Sequence, residues 1–154
     1  MSDNISVEIA LEALKERPAW GLDRTHGSMF FLEIGLPLLR AGSKKVHGEW
    51  HFLVEMSQWR IETKDKLIVG SDDDQPLIDR EFAALDLGQV KEATAPAPSY
   101  DLRLVFSSGI RLVTFATSTA VKDRWPQWML FCPDDNVWVL NSGGSPLRKS
   151  IHES

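Results

Sequence analysis

The chain has 154 residues, 43% hydrophobic and 25% charged, a size and composition at which one domain buries a core without help from metals or disulfides. Its formal charge is −5, and it lacks the concentration of Lys and Arg that phosphate-backbone binding needs, so nucleic acid is set aside as a partner. Cys132 is the only cysteine, which excludes an intramolecular disulfide; with no signal-peptide pattern and no run near the roughly 18 apolar residues of a membrane span, the expected location is cytoplasmic, with no membrane partner.

Ser2-Asp3-Asn4 offers N-caps for a helix predicted from Ile5 to Arg17, with Ile5, Ile9, Ala13 and Leu14 on its apolar side and Pro18 at its end. A polar loop through His26-Gly27 follows, and Ser28 to Ile34 reads as a strand closed by Gly35 and Pro37. Ala41 to Gly48 reads as a turn. In Glu49 to Met56, Trp50, Phe52, Val54 and Met56 share one face while Glu49, His51, Leu53 and Glu55 share the other, the pattern of a strand with one face in the core.

Trp59–Glu62 and Lys66–Val69 come at hairpin spacing, and Gly70 leads into an acidic segment that opens a short helix near Pro76, with Ile78, Phe82 and Leu85 as its buried stripe. Val90 marks another strand and Ala95 to Ser99 a connection. Leu102, Leu104 and Phe106 alternate with polar neighbours, Ser107-Ser108-Gly109 reverses the chain, and Ile110, Leu112 and Thr114 return it, a hairpin with one buried face. Trp128–Cys132 and Val137–Leu140 form two more strands around the turn Pro133 to Asn136. The expected fold is α+β, a largely antiparallel, curved sheet of about 7–9 strands with two helices, as a single domain over 1–141 and a flexible tail over 142–154.

Phe30-Phe-Leu-Glu-Ile-Gly-Leu-Pro37, Gly48-Glu-Trp-His-Phe-Leu53, Gln58-Trp-Arg-Ile-Glu62, Asp101-Leu-Arg-Leu-Val-Phe106 with Gly109, and Trp128-Met-Leu-Phe-Cys-Pro133 together resemble a group of small bacterial proteins. These are similar in layout to candidate immunity partners of toxins. The resemblance spans about residues 28–144 and implies a bacterial origin and a β-rich fold. Its motifs are strand apolars and turn glycines, so it carries no functional residues across.

The charge is uneven. Asp72, Asp73, Asp74, Asp79, Glu81 and Asp86 face only Arg80 between positions 72 and 86, and the rest of the chain is neutral. A one-signed patch speeds encounter with a basic partner, and this segment, together with the loop residue Trp125, is the expected partner-binding surface. The same acids also suit helix capping, and they lack the alternation and central Gly of an EF-hand. His47-Gly48-Glu49 opens like a zinc-deaminase signature, but the required Pro-Cys-x-x-Cys is missing, and no metal or other cofactor is expected. A looser ligand site remains on the strand face of Glu49, His51 and Glu55, where alternate residues lie about 6.6 Å apart and a neighbouring strand can supply a further ligand. No nucleophile elbow or P-loop is present, so the sequence predicts a non-catalytic binding protein, immunity-like and docking through its acidic segment. The alternatives are a small-molecule or metal-binding domain with a pocket on the sheet, and a homo-oligomeric structural protein.

Overall fold

A computed structural model describes residues 6–39, 44–119 and 126–151. Eleven strands and two helices follow in chain order: α1 (Val7–Glu12), β1 (Pro18–Arg24), β2 (Phe30–Leu38), β3 (His47–Val54), β4 (Gln58–Glu62), β5 (Leu67–Gly70), α2 (Gln75–Ala84), β6 (Gly88–Thr94), β7 (Arg103–Phe106), β8 (Arg111–Phe115), β9 (Trp128–Phe131), β10 (Asn136–Leu140) and β11 (Leu147–Ser150). The strands form one antiparallel sheet in the order β11-β10-β9-β3-β2-β1-β6-β7-β8-β4-β5, which is not closed.

The link between β1 and β6 is short, only Pro18 opposite Gln89 and Ala19 opposite Gly88. It divides the sheet into a six-stranded and a five-stranded leaf, and the core lies where the two face each other. Phe30 of the first leaf meets Trp59 of the second edge-to-face at 5.0 Å, and Phe82 of α2 packs on both rings. The buried indoles keep their N–H groups satisfied: Trp59 Nε1 donates to the Ser28 carbonyl at 2.8 Å and Trp128 Nε1 to the Tyr100 carbonyl at 3.0 Å. Truncating such a ring to Ala costs about 3–5 kcal/mol.

The hairpin from Leu102 to Phe115 forms as its alternation requires, with Gly109 at φ +90° in the turn and Leu104, Phe106, Leu112 and Thr114 buried. The strand count exceeds the expected 7–9 for two reasons. Residues 18–24, read as loop, are β1, whose alternation is interrupted by a register shift between Trp20 and Asp23. Residues 147–150, placed by the sequence in a flexible tail, are β11, held by main-chain pairing with β10 and not by apolar burial, since Leu147 is exposed. The expected N-caps Ser2-Asp3-Asn4 and the helix start at Ile5 lie outside the described residues; at its other end the first helix stops at Glu12 rather than Arg17, because i→i+3 bonds tighten the chain there and Glu16 takes φ +68°. Its inward side chains are Val7, Leu11 and Leu14, while Ile9 is 60% exposed. The second helix begins as expected at Gln75-Pro76, with Ile78 and Phe82 buried.

Candidate functional site

Alternation along β2, β3 and β9 sends Phe30, Leu32, Ile34, Trp50, Phe52, Val54, Trp128 and Leu130 into the core. The intervening residues point to the opposite side of the first leaf. That side carries two very different populations: the apolar Phe31, Leu53, Met129 and Phe131, and the polar Glu33, His47 and His51. Register explains the polar group in part, since Glu33 stands directly opposite His51, and His51 opposite Phe131.

His47 reaches the same point by a less regular route. Four residues of extended strand separate His47 and His51 by about 13 Å along the backbone, yet their rings meet edge-to-face with centroids 4.3 Å apart. Between Ile34 and Pro37 the register of β2 against β3 shifts, with Gly35 at φ +91°, and such bulges bend and twist the pair. Gly48 lies in this bend so close to β2 that a Cβ there would sit 2.5 Å from the Ile34 carbonyl oxygen. No other residue fits without moving the backbone.

Glu33 is 2% exposed. One of its oxygens, Oε1, accepts the Gly48 N–H at 2.8 Å, and Oε2 lies 2.9 Å from His47 Nδ1. His51 Nδ1 is 3.4 Å from Oε1, close enough for electrostatic attraction but without hydrogen-bond geometry, and it is buried with no hydrogen-bond partner. Burial alone pushes the Glu33 carboxyl up; the contacts from His51, His47 and the Gly48 N–H outweigh it and hold the group below the ordinary carboxylate range. Phe31 and Phe131 wall the cluster, with ring centroids 5.5 and 4.6 Å from that of His51.

The donor atoms of Glu33, His47 and His51 all lie within 4.8 Å of one another. Around a tetrahedral ion with bonds of about 2.0–2.1 Å, neighbouring donors lie about 3.3–3.4 Å apart. His47 Nδ1 lies 2.9 Å from Glu33 Oε2 and His51 Nδ1 3.4 Å from Oε1, so the two imidazoles approach different oxygens of the carboxylate at separations near that distance. Two imidazoles and a carboxylate form a donor set suited to zinc and its neighbours, and less to magnesium or calcium, which take oxygen donors.

Of the residues singled out on the β3 face by sequence, His51 belongs to this cluster and Glu49 and Glu55 do not. Glu49 turns away to accept the Leu36 N–H at 2.9 Å, beside the shifted register. Glu55 follows the end of β3, where burial raises its carboxyl above the ordinary value and leaves Oε2 buried without a hydrogen-bond partner. Cys132 is buried on the core side and is no ligand to the cluster. Sequence reasoning missed Glu33, although an acid inside the apolar run Phe30-Phe-Leu-Glu-Ile34 was its signal.

The acidic segment does not converge on one point. Asp73 accepts the Gly70 N–H at 2.8 Å, and Asp74 is the N-cap residue of α2 without a side-chain cap bond. Asp79 forms a two-pronged ion pair with Arg24 at 2.7 and 3.0 Å. Asp72, Asp74 and Asp86 are exposed and Glu81 is half-buried. Trp125 lies outside the described residues. Trp59 and Trp138 are buried, and Trp20 donates its Nε1–H to the Gly35 carbonyl at 2.9 Å.

Compared with protein-family models, curated proteins and solved structures, the chain matches none.

Proposed function

We propose that this protein binds a divalent transition metal, with zinc the best fit, through Glu33, His47 and His51. The observation that carries the reading is His51 Nδ1, buried without a hydrogen-bond partner and aimed at a carboxylate that already holds His47. A buried Glu33 alone would be explained as an acceptor for the Gly48 N–H. That role leaves His51 Nδ1 short of a hydrogen bond at 3.4 Å from Oε1, and a buried polar atom without one costs about 1–3 kcal/mol. Each imidazole coordinates only through a nitrogen that carries no proton, so protons and metal compete for the site.

Isothermal titration of metal-free protein with zinc tests this. The expected result is one ion per chain, lost in His51→Ala and retained in Glu55→Gln. Wild-type protein that takes up no zinc, or a His51→Ala variant that binds as well as wild type, would refute it.

A second reading concerns the acidic segment as a docking surface for a basic protein. It is favoured by Asp72, Asp74, Glu81 and Asp86, which make no ion pair among the described residues. Reversing Asp72, Asp74 and Asp86 to Lys would abolish capture of such a partner, and unchanged capture would remove this reading.

A further inference from the structure

We infer that the metal site keeps one coordination position for an exogenous ligand, and that the ligand is a small monocarboxylate whose apolar body lies over β9 and β10. The inference rests on the metal reading above and goes beyond it by assigning what the ion would hold.

Three observations carry it. First, Glu33, His47 and His51 are three donors, and among the described residues no fourth His, Cys, Asp or Glu joins them. Three protein donors are the mark of zinc sites that admit water or substrate, whereas structural sites are closed by four. Second, two neutral imidazoles and one carboxylate leave a divalent ion with a net charge of +1, which favours a single anionic ligand beside the buried Glu33 and His51.

Third, the side of the leaf that carries the site continues into a groove of 320 Å³ whose floor is apolar, with Met129, Phe131, Val137 and Val139, and whose rim carries the polar Asn141 and Lys149. Phe131 is the shared wall: it lines the groove and packs its ring edge-to-face on His51, centroids 4.6 Å apart and planes at 89°. Register places Phe131 opposite both His51 and Val137, and Met129 opposite Val139, so the groove runs from the site across β9 to β10. Its volume is at the small end of ligand pockets, about 300–1,000 Å³, which suits a short aliphatic or single-ring acid.

The test uses the full chain loaded with cobalt(II), whose visible bands report coordination number and ligand exchange, titrated with acetate, butanoate and hexanoate. The expected result is a tetrahedral spectrum that changes on adding acetate, with affinity rising about threefold to fourfold per added methylene. Met129→Trp, which fills the groove, should flatten the chain-length dependence while leaving acetate binding in place. A cobalt spectrum unchanged by every acid overturns the open position while leaving the metal reading intact. A change with acetate but no dependence on chain length in wild type overturns the groove. No cobalt binding at all overturns both the metal reading and this inference.

Discussion

Replacing Glu33 separates the structural role of the cluster from its role in binding. In Glu33→Ala the buried Gly48 N–H loses its 2.8 Å acceptor and His47 Nδ1 loses its 2.9 Å partner. A buried unsatisfied group costs about 1–3 kcal/mol, and His47 is open enough to recover part of its loss from water, so the variant should lose about 2–4 kcal/mol without metal. Glu33→Gln keeps a carbonyl oxygen for the Gly48 N–H and should recover most of that loss. With zinc at about one hundred times its dissociation constant, wild type should gain about 2.7 kcal/mol. For a chain of this length that corresponds to a rise of about 5–11 °C in the unfolding midpoint. Glu33→Gln should gain little, because an amide is a poor ligand. Calorimetry of the three proteins with and without zinc reads both effects. A Glu33→Gln variant stabilised by zinc as much as wild type would show that Glu33 is not a ligand. A Glu33→Ala variant as stable as wild type without metal would show that the Gly48 bond contributes nothing.

Further outcomes follow from the same geometry. Because the folded state holds Glu33 below the ordinary carboxylate range, its contribution is full above the unfolded value and is lost as pH falls through the folded one. The stability advantage of wild type over Glu33→Gln should therefore shrink on acidification, and a constant difference in urea midpoint from pH 7 to pH 3 would contradict this. Glu55 has the opposite sign: its carboxyl is raised by burial, so its ionised form opposes folding and Glu55→Gln should stabilise the protein at pH 7. That gain should vanish below the ordinary carboxylate range, as denaturant titration at both pH values would show. Gly48→Ala should cost at least about 2 kcal/mol, since its Cβ would press on the Ile34 backbone at 2.5 Å, and should also weaken zinc binding by displacing His47. Cys132 faces the core, so a thiol reagent should label it only after unfolding, and Cys132→Ala should leave zinc stoichiometry unchanged.

The parts of the fold that could be read from sequence are those where alternation is unbroken. Trp50, Phe52 and Val54, and the hairpin from Leu102 to Thr114, follow period-two patterns and are buried as that pattern requires. Met56 breaks the rule because the strand ends at Val54, leaving it 43% exposed. β1 was hidden by the irregularity at Gly21, whose φ of +65° allows the chain to step out of register with β2. The site was half legible for the same reason. His51 is found by alternation on β3, but its partners depend on which strand lies beside β3 and on a bend that brings His47 back, and neither has a local signature. Glu49 and Glu55 share the nominal strand face with His51, yet one turns to the Leu36 amide and the other lies beyond the end of β3.

The energetics of the cluster bear on why it is there. A carboxylate and two imidazoles on a sheet face are a costly way to fill a space bounded by Phe31 and Phe131, and apolar side chains of similar volume often serve stability as well or better. The backbone is also shaped around them. A Cβ on Gly21 would lie 2.7 Å from Glu33 Cγ, and one on Gly48 would collide with β2. Both glycines sacrifice backbone entropy, and both border register shifts that weaken the strand ladder locally. As a packing solution, then, the cluster combines a buried charge, an unsatisfied imidazole nitrogen and two irregular strand pairs. A bound cation offsets the first two of these terms and adds a third of its own: it pairs with the carboxylate, gives His51 Nδ1 a partner and adds its binding free energy to the folded state. The features least favourable to the metal-free fold are those that a divalent ion would use.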